Sequence, residues 1–472
     1  MFIAQGLQPF LTVVLMFVVG RTLGNEEYGK YNVIFQFFSI FQITSSMGLR
    51  TLLTREVAQN RENANKFLVN GLLLGFPSSL LNIAIVVVTI HFLNYESEIL
   101  IGIYYIIISL VASALTEVLS GALTGFEEVR KLAYAWMIFL VLKTVTSIVV
   151  LLLGFGIYAL IFVHVITKFI QTLIVYYYIY QITGRPIFEI DWGLCKKLIR
   201  MGWSMALMAF TISLFWRIDI LILEKMVDDK SLGDFSAAYR IFHFMLMTVR
   251  SFSMSFLPMI SNYYKERRDE FQDACTKSIR FLTIIIIPIA VLTTFASPYV
   301  MPLLWGSKFN NEVVANVLQV WVWSIVIFGI TEVFGAALLA SGRQVTDFVL
   351  KAITLVVKIG LTYFLTLNFG VTGPAIATII ALVLLLILQF TFTVPSVFKF
   401  KIQDMLVSFV KIILIIGIMW IPTYFLKDYF FLFGMIAAIA VYIPGAILLK
   451  IITPDDKRYF KKITKKRRRN RK

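Results

Sequence analysis

Residues 117–143 read EVLSGALTGFEEVRKLAYAWMIFLVLK, and residues 332–358 read EVFGAALLASGRQVTDFVLKAITLVVK. Each stretch begins with a glutamate, ends with a lysine 26 positions later, and predicts two apolar helices joined by a short polar turn. Ionisable side chains are costly in hydrocarbon and rarely lie there without a partner or a function. The recurrence after 215 residues therefore predicts a membrane protein built from two related halves, an organisation typical of transporters.

The whole chain has the composition of a polytopic membrane protein. Hydrophobic residues make up 59% of its 472 positions, charged residues only 15%, and the mean hydropathy is +0.83. The first apolar segment, residues 2–19, lacks a small-residue cleavage site, so we interpret it as a retained first span. The two cysteines, Cys195 and Cys275, indicate neither a disulfide framework nor a metal cluster.

Hydropathy predicts fourteen membrane-spanning helices. Their approximate ranges are 2–21, 31–54, 66–92, 98–124, 131–153, 157–181, 198–223, 234–261, 277–299, 313–341, 346–367, 371–396, 403–426 and 429–451. Lysine and arginine are unequally divided between the loops of the two sides, nineteen against six, before the C-terminal tail is counted. Because basic residues are retained in the cytoplasm, the chain is predicted to be a multi-pass protein of the cell membrane with both termini cytoplasmic.

The predicted fold is an all-α membrane protein with two six-helix lobes around a central cavity and two extra C-terminal helices. The lobes are predicted at 1–183 and 198–396, joined by a cytoplasmic linker at 184–197 and followed by two spans at 397–452 and a tail at 453–472. Both lobes begin on the same side, so the axis relating them runs along the membrane normal. The tail contains eleven Lys or Arg residues, which predicts binding to anionic membrane lipids rather than to nucleic acid.

The repeated acid and base admit two interpretations. In each hairpin they lie equally far from the turn, roughly 12–15 Å below the membrane surface at 1.5 Å per residue. Glu117 with Lys143, and Glu332 with Lys358, are therefore predicted to form structural ion pairs that lock the two hairpins. In the alternative, the two glutamates line the transport path and bind a proton or a sodium ion.

A cationic central cavity is the second prediction from charge. Away from the ends of the predicted spans, where bases such as Lys411 and Lys450 can reach the surface, six bases but only three acids remain, and the two repeated pairs account for two of each. The deep ionisable groups outside those pairs are Lys168, Arg217, Arg240, Arg250 and Asp219, together with the two histidines His164 and His243. Arginine suits an anionic phosphate ligand because its planar guanidinium donates two parallel hydrogen bonds.

No phosphate-loop, zinc or nucleophile motif is present in the sequence, so neither catalytic residues nor a metal or cofactor are predicted. A proton or sodium gradient is left open as the energy source.

Several short motifs resemble one transporter family. They are Arg21-Thr22-Leu23-Gly24 with Tyr28-Gly29, Gly48-Leu49, Arg217-Ile218-Asp219, Leu232-Gly233-Asp234-Phe235 with Ala238-Tyr239, and Gly370-Val371-Thr372-Gly373-Pro374-Ala375. With the predicted spans, they make the chain similar to the multidrug/oligosaccharidyl-lipid/polysaccharide (MOP) exporter superfamily. The resemblance is to its polysaccharide-biosynthesis branch, the Wzx-type O-antigen flippases, and covers nearly the whole chain.

The resemblance implies an alternating-access flippase with a cationic lumen. Such a protein carries a polyprenyl-diphosphate-linked oligosaccharide to the outer leaflet for surface polysaccharide assembly, and glycan-assembly enzymes are its expected partners. In related lipid II flippases, arginines of the first, second and eighth spans engage the diphosphate, and Arg21, Arg50 and Arg250 occupy similar places here.

Two other functions agree less well with the charges and loop lengths of the chain. An ion-coupled multidrug exporter of the same superfamily would require an acidic cavity for organic cations, and the deep charges here are mostly basic. A membrane glycan polymerase or ligase would require a large outer loop with catalytic residues, which the predicted loops do not provide.

Overall fold

The computed structural model describes residues 2–185, 187–393 and 431–448, together with residues 397, 410, 411, 414, 416 and 417. Helices and their connecting turns make up this part of the chain. The α-helices are α1 (Phe2–Leu23), α2 (Asn25–Ser45), α3 (Leu49–Gln59), α4 (Ala64–Phe92), α5 (Ser97–Ile107), α6 (Ser109–Gly125), α7 (Val129–Leu152), α8 (Ile157–Thr183), α9 (Trp192–Leu223), α10 (Asp229–Glu266), α11 (Arg268–Trp305), α12 (Asn311–Ala340), α13 (Gln344–Phe369), α14 (Gly373–Thr393) and α15 (Phe431–Leu448). A 3₁₀ turn, Gly370–Thr372, joins α13 to α14.

The predicted spans coincide with helices. Ten of the first twelve each lie on one helix, the second (31–54) covers α2 and α3, and the fourth (98–124) covers α5 and α6. The fourteenth lies on α15, whereas most of the thirteenth, at 403–426, falls outside the described residues. In the described part of the chain, eight helical stretches are long and apolar enough to cross a membrane: Ala64–Phe92, Ser97–Gly125, Val129–Leu152, Ile157–Thr183, Trp192–Leu223, Glu270–Trp305, Asn311–Ala340 and Gln344–Thr393. The all-α membrane class is thereby confirmed, and the count of fourteen spans stays a prediction.

The second predicted span, 31–54, is interrupted. α2 ends at Ser45 and α3 begins at Leu49, because Met47 and Gly48 adopt left-handed backbone with φ of 47° and 68°. Glycine adopts this conformation without steric cost, and at the break the Met47 and Leu49 amides donate to the carbonyls of Thr44 and Ser46. Non-helical backbone at membrane depth requires such partners or a polar cavity, and in transporters it often accompanies a binding path.

Contacts divide the chain into two compact units, Met1–Ser236 and Ala237–Lys472. The first unit contains α1–α9 and the start of α10, and the second contains the remaining helices. Between α8 and α9 the chain leaves helical structure, within the predicted linker at 184–197. The lobe boundary at this linker stays a prediction, and α9 packs along α2 within the first unit.

α6 is the central helix of the first unit. It packs against α3, α4 and α8, and Val118, Ala122 and Leu123 on it are completely buried. A methyl group added at Gly121 would lie 2.6 Å from the carbonyl oxygen of Arg50 on α3. Small residues allow helix backbones to approach closely in membranes, so the glycine explains how α3 reaches the acidic residue on α6.

α12 holds the corresponding place in the second unit. It packs against α11 and α14, and most of its side chains between Val314 and Leu338 are buried. α12 contains Glu332, as α6 contains Glu117, and the helices that follow contain Lys358 and Lys143. The sequence repeat therefore corresponds to equivalent central helices. α15 also belongs to this unit and packs against α11.

The segment between α8 and α9 is tied to the beginning of α4. The buried Asn70 side chain donates to the Glu189 carbonyl at 2.8 Å and accepts from the Asp191 amide at 2.9 Å. Lys66 forms ion pairs with the carboxylates of the same two residues. The Leu194 amide and the Lys66 ammonium lower the pKa of Asp191, which caps α9. This end of the first unit, called here the basic end, carries Arg55, Arg61, Lys66, Arg130, Lys131, Arg185, Lys196, Lys197 and Arg200.

A cluster of ion pairs joins helices at the opposite end of the first unit. The Lys30 ammonium lies 2.7 Å from Glu98, 3.3 Å from Asp229 and 3.7 Å from Glu96. The hydrogen bond to Glu98 and the nearby Asp229 carboxylate raise the pKa of Lys30 despite partial burial. The cluster therefore connects the beginnings of α2, α5 and α10.

Exposed tyrosines indicate the depth of the first unit in a membrane. On α8, Tyr158 and Tyr177 are both exposed and lie 19 residues apart, or roughly 28 Å at 1.5 Å per residue. That separation matches a hydrocarbon core of about 30 Å, and tyrosine is enriched at both membrane interfaces. Residues midway between the two tyrosines therefore lie near the bilayer centre.

Replacing Gly233 with alanine is expected to destabilise the protein. The added methyl group would overlap the backbone oxygen of Asn25, so α10 must move away from α2. Gly360→Ala is the control, because a methyl group there meets no atom within 4 Å. Thermal unfolding in detergent should show a lower midpoint for Gly233→Ala only, and equal midpoints would contradict this packing.

Asn70→Ala is expected to destabilise the connection between α4 and α9. It leaves the Glu189 carbonyl and the Asp191 amide without their partner, at a cost of about 1–3 kcal/mol. The matched control is Asn65→Ala, whose bonds to the same segment are exposed and longer, at 3.2 and 3.4 Å. Limited proteolysis should cleave residues 184–191 faster in Asn70→Ala than in Asn65→Ala; the reverse order would show that Asn70 does not hold this segment.

Candidate functional site

Lys168 lies inside the helix bundle of the first unit, at mid-membrane depth on α8. Its side chain is only 3% exposed, and its ammonium donates to the Gln171 side-chain oxygen at 3.0 Å. The same ammonium lies 5.2 Å from the ring centre of Trp136 and 5.0 Å from that of Phe139. Cation–π contacts of this kind stabilise a desolvated charge. The predicted cavity residue Lys168 is thus enclosed by aromatic rings, because α7 packs over it.

His164 lies one turn from Lys168 on the same helix. It is 4% exposed, and neither ring nitrogen has a hydrogen-bond partner among the residues that the structure describes. The edges of Phe35, Phe38 and Phe139 surround the imidazole, with ring centres 5.1, 4.7 and 6.4 Å away. Two bases of α8 therefore share one aromatic pocket between α2, α7 and α8, called here the aromatic pocket.

Glu117 forms its ion pair with Arg50. The Arg50 guanidinium donates to the Glu117 carboxylate at 3.1 Å, across the close α3–α6 contact at Gly121. The predicted pairing with Lys143 is corrected accordingly, and the Lys143 ammonium lies 5.1 Å from the ring centre of Phe35 instead. Equal depth relates only the two helices of one hairpin, whereas α3, which lies outside the hairpin, supplies the partner.

In the second unit, the repeated acid and base also differ from the prediction. Glu332 is half-buried and forms no hydrogen bond or ion pair with the residues that the structure describes. Lys358 is completely buried within the unit. The predicted Glu332–Lys358 pair is therefore not formed, and the acid remains available on α12.

The predicted site residues of α9 and α1 are Arg217, Asp219 and Arg21, and they differ in burial and contacts. Arg217 donates to the Gln36 side chain at 2.7 Å, so it bonds α9 to α2. Asp219, two residues further on, is completely buried. Arg21 is exposed near the end of α1. The three residues thus differ in exposure, from the completely buried Asp219 to the exposed Arg21.

Three predicted site residues lie on α10 in the second unit. Arg240, His243 and Arg250 are all half-buried, and the His243 ring lies 5.6 Å from that of Tyr239. Arg250 forms no hydrogen bond or ion pair with any residue in the described ranges. α10 and α12 are in contact here: a methyl group added at Gly329 on α12 would lie 3.8 Å from the Val249 side chain on α10. Glu332 is one turn from Gly329, so an arginine and a glutamate without partners lie on neighbouring helices.

Sequence reasoning assigned no role to aromatic residues or to Gln36 and Gln171. Two spacings could have revealed the aromatic pocket: His164, Lys168 and Gln171 share one face of α8, and Trp136, Phe139 and Lys143 share one face of α7. Across the described part of the chain, no group of three or more His, Cys, Asp or Glu residues could hold a metal ion.

Comparison with known families identifies this arrangement. The family described as "Polysaccharide biosynthesis protein" matches residues 1–264, more than half of the chain. The chain belongs to this family. The MatE family matches residues 204–364 as well, which spans the helices that carry Arg217 and Arg250. No curated protein sequence matches the chain.

Solved structures share the fold at low sequence identity. A lipid II flippase MurJ in an inward closed conformation is 16% identical, with a TM-score of 0.78 over 94% of this chain and 98% of that one. An inward-facing MATE family multidrug resistance transporter is 16% identical, with a TM-score of 0.70 over 82% and 93%. A MOP superfamily transporter from Pyrococcus furiosus is also 16% identical, with a TM-score of 0.61 over 83% and 92%.

The family and the fold establish the general class of the protein. It is a multi-pass membrane transporter of the MOP superfamily, in the polysaccharide biosynthesis family, and this family does not consist of enzymes. The predicted superfamily, membrane class and absence of enzymatic activity are thereby confirmed.

Exchanging the charges of Arg50 and Glu117 is expected to preserve stability. Either single reversal places like charges together and should lower stability by about 1 kcal/mol, because Arg50 is partly exposed and the pair is screened. The double variant Arg50→Glu with Glu117→Arg restores attraction and should recover the thermal unfolding midpoint in detergent. The control exchange, Lys143→Glu with Glu117→Lys, should not recover it; recovery there would favour the hairpin pair instead.

Proposed function

We propose that this transporter flips a polyprenyl-diphosphate-linked oligosaccharide from the cytoplasmic to the outer leaflet by alternating access. Membership of the polysaccharide biosynthesis family and the shared fold with a lipid II flippase support a lipid-linked substrate. Diphosphate is the charged group common to such lipids. The residues that bind it must therefore be basic and within the membrane, and those not already paired with a protein acid are the first candidates.

Arg250 carries the proposal. It lies within a predicted span and is half-buried, and the described part of the chain supplies neither an acid nor an acceptor for its guanidinium. A guanidinium at membrane depth is costly without a partner, and a diphosphate would supply two oxygens in the geometry that arginine prefers. We assign Arg250 as the principal diphosphate ligand, with Arg240 and His243 on the same helix as further candidates.

The bases of the first unit differ in whether they can reach the diphosphate. Arg50 is 41% exposed although it pairs with Glu117, so it can exchange that carboxylate for a substrate phosphate. Arg21 and Arg217 remain candidate contacts, with Asp219 close to the latter in sequence. Lys168 is enclosed in the aromatic pocket, so we assign it no contact with the substrate in this conformation.

The proposal includes an orientation and partners. The basic end of the first unit faces the cytoplasm, because lysine and arginine are retained there, and both termini lie on the same side. The basic C-terminal tail binds anionic lipids, and glycan-assembly enzymes supply and consume the substrate. Fourteen spans in two lobes around a central cavity complete the arrangement. Glu332 is the candidate group for a coupling proton or sodium ion.

Reconstituted flipping tests the proposal. In proteoliposomes with a fluorescent polyprenyl-diphosphate oligosaccharide, wild type should equilibrate the lipid between leaflets, as measured by quenching with an impermeant reagent. Arg250→Ala should slow this about tenfold or more, since a charge-assisted hydrogen bond contributes about 1.5–3 kcal/mol. Arg250→Lys should be intermediate because an ammonium cannot bind two oxygens in parallel.

A matched control separates binding from folding. Lys351 on α13 forms an ion pair with Asp347, so Lys351→Ala removes a base of the same unit that already has a partner. It should retain the wild-type flipping rate. The MatE match makes a multidrug exporter the second candidate. Wild-type transport of an organic cation such as ethidium, without flipping of the lipid, would overturn the flippase in favour of that exporter.

A further inference from the structure

α8 places two bases of different strength one turn apart inside the first unit. Lys168 lies ten residues from Tyr158 and nine from Tyr177, so it is near the bilayer centre, and His164 is one turn closer to Tyr158. Residues four apart on a helix are neighbours on one face. Both side chains are more than nine-tenths buried, and both enter the aromatic pocket.

The pocket provides stabilisation for one positive charge at most. Lys168 has the Gln171 oxygen and two aromatic faces, and within the described part of the chain it forms no ion pair with a carboxylate. Among the same residues His164 has neither donor nor acceptor at its ring nitrogens, and aromatic rings surround it. Like charges at this spacing repel, and low-dielectric surroundings strengthen the repulsion. Protonation of one base therefore opposes protonation of the other.

The helices packed against α8 add one base and one acid at this level. α7 contributes Lys143, and α6 contributes Glu117, which is already paired with Arg50 of α3. α5 contributes Tyr105, which lies against Phe162 toward the end marked by Tyr158. α2 contributes phenylalanine rings. Glu117 attracts the Lys168 ammonium, but its ion pair is with Arg50, and Lys143 adds a further positive charge that repels a protonated His164.

We propose that His164 and Lys168 form a site for a single exchangeable proton. When the site is occupied, either the lysine nitrogen or an imidazole nitrogen holds the proton as a cation, and release transfers it to water as hydronium. With Lys168 protonated, its ammonium lies over Trp136 and Phe139 and holds α7 against α8. Loss of the proton removes that attraction, so occupancy of the site biases the packing of these helices during transport.

The indole of Trp136 reports the charge of Lys168 directly. An ammonium 5.2 Å from the ring centre alters tryptophan fluorescence, and a neutral amine does so much less. The purified full-length protein in lipid nanodiscs is titrated from acid to alkaline pH, and the spectrum of Trp136→Phe is subtracted at each point. The expected result for wild type is one reversible transition in this difference signal.

Variants identify the groups that share the proton. Lys168→Met, which keeps the side-chain length and removes the base, should abolish the transition, and Lys168→Gln serves if that protein does not fold. His164→Phe should retain the transition but displace its midpoint, because the competing base is lost. Lys351→Met, the same substitution at an ion-paired lysine of the second unit, should leave the wild-type transition unchanged.

Three outcomes would overturn the proposal. They are a flat wild-type signal across the titration, a transition that survives in Lys168→Met or Lys168→Gln, and a His164→Phe midpoint equal to that of wild type. The measurement requires no substrate. A negative result in lipid flipping would therefore count against the flippase alone, and a flat titration would count against the proton site alone.

Discussion

The ion pair of Arg50 and Glu117 determines how the remaining charges of the first unit are arranged. It forms because Gly121 lets α3 approach α6, and because the helix break at Met47 and Gly48 starts a new helix immediately before Arg50. Because Arg50 binds the central acid from outside the hairpin, Lys168 forms no ion pair with a carboxylate among the described residues. The aromatic rings of α7 therefore perform the stabilising role that an acid would otherwise have.

The repeated acid has different partners in the two units. In the first, the acid of the central helix is paired, and the bases of α8 are enclosed by rings. In the second, Glu332 on the corresponding helix has no bonded partner among the described residues, and Arg250 lies on the adjacent α10 in the same situation. A duplicated frame thus supports a proton site in one unit and a diphosphate ligand in the other, under the functions proposed above.

Much of the frame could be predicted from the sequence. Apolar length and loop charge predicted helices at the correct places from α1 to α14, because burial in hydrocarbon requires long apolar helices whatever their neighbours. The repeat also correctly indicated Glu117 and Glu332 as residues of equivalent helices. The site was predicted less well. The pairing of Glu117 with Lys143 was predicted from their equal depth in one hairpin. Depth alone does not show which of the helices packed around α6 provides the partner of Glu117.

The sequence by itself determined the class of protein: an all-helical, duplicated membrane transporter whose deep charges are mainly basic. Local composition and period are sufficient for this, since each helix must satisfy its own backbone in lipid. Only the tertiary structure decided which charges are paired, enclosed or free of protein partners. Those outcomes depend on close contacts between residues far apart in the chain, such as Arg50 with Glu117 and Phe38 with His164. The spacing of residues along a helix shows which side chains share one face, but not which other helix that face contacts.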